Sequence, residues 1–122
     1  MPKVERDEVR ENRISDEAIV DAYGPEEQAM GWYYYLDDKI SSPFKAKCIE
    51  KRSISPLEVD ELVEVLGMAP ESECEHEMFV MVQWQGRKLG VPLAQVAVVE
   101  GDEATREAVE DWQYWTNRGY EF

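Results

Sequence analysis

Hydrophobic and polar positions change period twice along this chain. The first third repeats at helical spacing, the middle alternates, and the end returns to helical spacing. Ile14 and Ile19 flank Ser15, Asp16 and Glu17, which predicts an N-cap at Ser15, a hydrophobic staple and an acidic first turn. Gly24 closes that short helix, and Pro25 suits the first turn of the next. Good helix formers then carry residues 26–36 in spite of Gly31. Past Ser42 and Pro43, the apolar Phe44, Ala46 and Cys48 alternate with Lys45 and Lys47, the pattern of a half-buried strand. Residues 59–66 are rich in Val and Leu and predict a second strand, although 62–66 fits a helix almost as well. Gly67 and Pro70 bracket a loop. Met78, Val80, Val82 and Trp84 share one face of a third strand, and Gln85, Gly86, Arg87 and Lys88 form a hairpin turn. Leu89, Val91, Leu93 and residues 96–99 supply further short strands. Asp102 predicts the cap of a last helix running to Asn117. Gly119 is its stop, and Ala104, Ala108, Trp112 and Trp115 form its inner stripe.

The fold class that follows is α+β: a small antiparallel sheet or SH3-like barrel with N-terminal helices and a C-terminal helix. No long crossover helix separates the strands, so a βαβ arrangement is not expected. Residues 1–13 read as a charged lead-in and residues 14–122 as one domain, which is what 122 residues can build.

Charge narrows the function. Asp and Glu number 27 against 13 Lys and Arg, a net charge of −14. Such a surface repels nucleic-acid phosphates and anionic membranes, and it favours a cation or a basic partner. Four Trp, six Tyr and three Phe need a core, which argues against a disordered acidic tail. The N-terminal stretch lacks an apolar run, so neither a secretory signal nor a membrane span is expected, and the expected compartment is the cytoplasm. Cys48 and Cys74 then read as two separate thiols.

Catalytic equipment is sparse. His76, the single histidine, lies between Glu75 and Glu77, and no residue is identified to orient it. No Gly-rich phosphate loop exists, and one His with two Cys is a poor basis for structural zinc. The expectation is a protein that is not an enzyme. What abounds is carboxylate oxygen, the donor preferred by calcium, which takes six to eight oxygen ligands. Asp37 and Asp38 follow the aromatic helix. Glu71, Glu73, Glu75 and Glu77 alternate ahead of a strand and would share a face if extended. Glu100, Gly101, Asp102 and Glu103 link the last strand to the last helix. None of these matches an EF-hand loop. Asp37 also opposes the helix dipole, which a bound cation would compensate. Solvated surface is the competing explanation: Asp102 as a cap only, and the glutamate run as a negative edge that discourages strand pairing. Trp32, Tyr35 and Leu36 can share one helix face, leaving Tyr33 and Tyr34 to contact something else.

The stretches WYYYLDDKISSPFKAKC, ECEHEMFVMVQW and VPLAQV resemble the small acidic calcium-binding proteins of cyanobacteria, over about residues 25–100 and also at the DWQYW end. The resemblance implies calcium binding and buffering without EF-hands, through surface carboxylates. It places Asp37 and Asp38 in the ligand set, with Glu75 and Glu77 beside them. Loop logic adds Glu100 and Asp102. The expectation is a monomer that takes Ca2+, binds neither nucleic acid nor membrane, and leaves room for a basic protein partner. The rival is an acidic interaction module that mimics nucleic acid or inhibits a basic partner.

Overall fold

The computed structural model describes residues 5–120 and 122; the first four residues of the lead-in lie outside them. The first helix, α1 (Glu8–Arg13), starts at Asp7, whose carboxylate accepts the Arg10 N–H at 3.1 Å. The chain runs on into a π turn, Ile14–Ala18, so Ser15 lies inside the winding and is not the cap. The wider turn buries both Ile14 and Ala18 against the core, and the helical start moves back to Asp7. The next helix, α2 (Pro25–Lys39), takes Pro25 in its first turn and buries Ala29, Trp32, Tyr35 and Leu36. It outlasts the expected 26–36 by three residues, so Asp37 and Asp38 both belong to its last turn. Gly31 is required here: a Cβ would sit 2.2 Å from the Ala18 carbonyl oxygen.

Five strands follow: β1 (Phe44–Cys48), β2 (Leu62–Met68), β3 (Phe79–Trp84), β4 (Arg87–Pro92) and β5 (Val96–Glu100). Residues 62–66 are therefore strand. The sheet order is β4-β3-β2-β1-β5, and every neighbouring pair is antiparallel. Gln85 and Gly86, both at positive φ, make the two-residue link between β3 and β4. The sheet is open, which corrects the SH3-like barrel alternative. The chain leaves β4 through a 3-10 turn, Leu93–Gln95, whose backbone bonds go to Met78 and Ile49. Strand-to-strand closure between β4 and β5 therefore does not form.

Residues 71–77 are not extended either. Glu71–Glu73 form a 3-10 turn and bends follow, because the Glu73 and Cys74 N–H groups bond back to Pro70 and Glu71. The four alternating glutamates consequently do not share a strand face.

The last helix, α3 (Glu103–Asn117), is capped by Asp102, which accepts the Thr105 N–H at 2.8 Å. Its buried face carries Thr105, Ala108, Val109, Asp111, Trp112, Tyr114 and Trp115; Ala104 points outward. Trp32 of α2 meets Trp112 edge-on at 5.1 Å, and Trp112 stacks on Trp115 at 5.6 Å. Among these rings sits a fully buried carboxylate, Asp111. It accepts hydrogen bonds from Arg10 at 2.7 Å, from Arg13 at 2.6 and 2.8 Å, and from the Tyr35 hydroxyl at 2.8 Å. One side chain thus joins α1, α2 and α3. Its hydrogen bond to Arg13 drives that guanidinium pKa up, and burial followed by the bond to Asp111 pushes the Tyr35 phenol up.

Candidate metal centre

Tyr33, half-buried at the edge of the core, and the exposed Tyr34 tie the middle of α2 to the loop after β2. The Tyr33 hydroxyl donates to the Ala69 carbonyl at 2.8 Å, and the Tyr34 hydroxyl donates to Glu71 at 3.1 Å. Burial pushes the Tyr33 phenol up, and the neighbouring acidic groups Asp37, Cys74 and Glu71 add to the rise. Asp37 and Glu71, far apart in sequence, therefore act on one hydroxyl. Glu71 is not among the residues expected to bind metal. Only the acidic run marks it, and the resemblance selects Glu75 and Glu77 from that run instead.

The six expected residues fall into two chemical states. Asp37, Asp38 and Glu75 are exposed, and their carboxylates hold no ion pair or hydrogen bond among the described residues. Glu75 lines a cleft that also holds Tyr33, Glu71 and His76, while Asp38 lines a groove with Glu17 and Tyr34. The other three are engaged. Glu77 takes a two-pronged contact from Arg52 at 2.9 and 3.0 Å. Glu100 faces Lys45 at 3.7 Å. Asp102 serves as the α3 cap, and hydrogen bonds from Thr105 and Ser41 hold its carboxyl below the ordinary range.

The donor chemistry suits a hard cation, since every expected ligand is an oxygen. The geometry stops short of a finished cage: among the described residues, no three His, Cys, Asp or Glu side chains converge enough to hold a metal ion. A cation needing six to eight oxygens would have to complete its shell from carbonyl groups and water.

Comparison with known proteins bears on this arrangement. A family described as calcium binding, CcbP, matches residues 12–116. The crystal structure of CcbP from Anabaena superposes with a TM-score of 0.87 at 47% identity, covering 100% of both chains. A calcium-binding protein solved in its calcium-binding form gives 0.86 at 46% identity, again over 100% of both chains. No curated protein matches the chain.

Proposed function

Because the chain belongs to the CcbP calcium-binding family, we propose that it binds calcium without catalysing a reaction, through carboxylates drawn from separate segments. The observation that carries this reading is the full-length likeness to a protein solved with the same fold in a calcium-binding form. The uncommitted carboxylates of Asp37 and Asp38 at the end of α2, and of Glu75 in the loop beyond β2, are the first ligands. Glu71 joins them through its proximity to Tyr33 and Tyr34. Glu77, Glu100 and Asp102 would have to surrender Arg52, Lys45 and the helix cap before they could coordinate an ion. They therefore come second.

Two unpaired, buried thiols support a reducing compartment, the cytoplasm. Among the described residues no helix is long and apolar enough to cross a membrane.

The test is calorimetric titration of calcium into the protein and into a variant carrying Asp37→Asn and Asp38→Asn. The variant is expected to keep its circular dichroism spectrum and to bind at least about tenfold more weakly, a loss of about 1.4 kcal/mol. Unchanged affinity and stoichiometry would remove these two residues from the ligand set. Absence of any saturable calcium binding by the unaltered protein would remove the function itself.

A further inference from the structure

A cleft of about 590 Å3 opens between the start of α2, residues 71–76 and Phe122. Its volume lies within the range of small-molecule sites. Ala29, Met30, Tyr33 and Phe122 give it an apolar and aromatic lining. Met30 is 46% exposed and presents its flexible, polarizable thioether side chain to the cleft. Glu26, Glu71 and Glu75 also line the cleft, and none of the described lining residues is Lys or Arg. Aromatic faces attract a cation through their quadrupoles, and carboxylates pair with it at close range. An anionic ligand would meet three carboxylates and a net charge of −14. A bare metal ion gains nothing from the apolar wall.

We propose that this cleft binds a small organic ammonium with an apolar body. The charged nitrogen sits among Glu26, Glu71 and Glu75, while its hydrocarbon portion covers Met30 and lies against Tyr33 and Phe122. This site goes beyond calcium binding but shares Glu71 and Glu75 with it, so the two readings are tested apart. The full chain, with chelator present at pH 8, is titrated with phenethylammonium and with its neutral counterpart 2-phenylethanol. Binding is followed by NMR of the methionine methyl and aromatic signals. The ammonium is expected to bind saturably, with shifts centred on Met30, Tyr33 and Phe122. It should bind about tenfold more tightly than the alcohol, the ratio that ion pairs with two partly exposed carboxylates supply together. Met30→Trp, which fills the cleft from an exposed position, should abolish binding while the far-ultraviolet spectrum stays unchanged. Glu71→Gln combined with Glu75→Gln should bring the two affinities together. Equal affinities for ammonium and alcohol in the unaltered protein would overturn the proposal. So would shifts scattered over the surface, retained affinity in folded Met30→Trp, or binding of a basic peptide without binding of the small ammonium.

Discussion

Asp111 has the most demanding environment of any single residue. It is fully buried and accepts four hydrogen bonds, three of them from guanidinium groups. Asp111→Asn keeps the shape but removes the charge, leaving Arg10 and Arg13 in a half-buried setting without their main counter-ion. Breaking a buried pair this way costs roughly 3 kcal/mol. Urea unfolding followed by Trp fluorescence should show that loss, and a change below about 1 kcal/mol would mean that water replaces the contact. The sequence carried a signal for this residue: an acid on the stripe that holds Ala108, Trp112 and Trp115. Its partners were not legible, because Arg10 and Arg13 lie in the stretch that reads as lead-in, about a hundred residues away. A second prediction concerns the thiols. Burial pushes the Cys74 thiol up, and Glu73 and Glu71 add to the rise, so little reactive thiolate forms. Cys48 is wholly enclosed. A disulfide-exchange reagent at pH 8 should leave both unmodified in the native protein and react with both in denaturant. Rapid native labelling of either would contradict the burial.

At the scale of elements, the fold depends on how α2 meets α3 and the sheet. Regular patterns were legible: the strand alternation at β1 and β3, the Asp102 cap and the Trp stripe of α3 all appear where periodicity puts them. Irregular pieces were not. The π turn at Ile14–Ala18 and the 3-10 turn at Glu71–Glu73 obey local hydrogen bonding and tertiary burial, which neither period 2 nor period 3.6 encodes. The candidate site suffered from the same gap, because Glu71 reaches Tyr34 only through that turn. The α2–α3 contact gives a pH prediction. Tyr35, on α2, donates to Asp111 on α3, and its phenol is raised first by burial. A raised folded-state value means this contribution is complete below the ordinary phenol range. It is lost as pH rises through about 10, where the unfolded chain ionises first, and onward to the folded value. Tyr35→Phe should cost about 1.5 kcal/mol at pH 7, the worth of a hydrogen bond to a charged group. The gap between the two proteins should narrow above pH 10, measured by urea midpoints at each pH. A constant gap would show that the phenol ionises alike in the folded and unfolded chains, so that folding does not raise its pKa.

For the whole molecule, the decisive quantity is the charge of −14 held on a 122-residue fold. Ion pairs neutralise part of it: Arg52 with Glu77, Lys45 with Glu100, and the arginines of α1 with Asp111. Asp37, Asp38 and Glu75 keep uncompensated charge on the native surface, and unfolding spreads those charges apart. Calcium bound only by the native state removes part of the repulsion and stabilises by mass action. That second effect is about 2.7 kcal/mol when free calcium stands at a hundred times Kd. For a domain of this size it raises the Tm by on the order of 10 °C. Sodium at equal ionic strength screens without chelating and should raise the Tm less. Magnesium holds its water and demands tighter octahedral geometry, so it should fall between the two. The measurement is thermal unfolding by Trp fluorescence in the three salts at matched ionic strength. A calcium shift that exceeds sodium's and survives moderate added salt marks chelation. Equal shifts in all three would mean that the carboxylates act only as a diffuse negative field, and the acidic interaction-module reading would then account better for the charge.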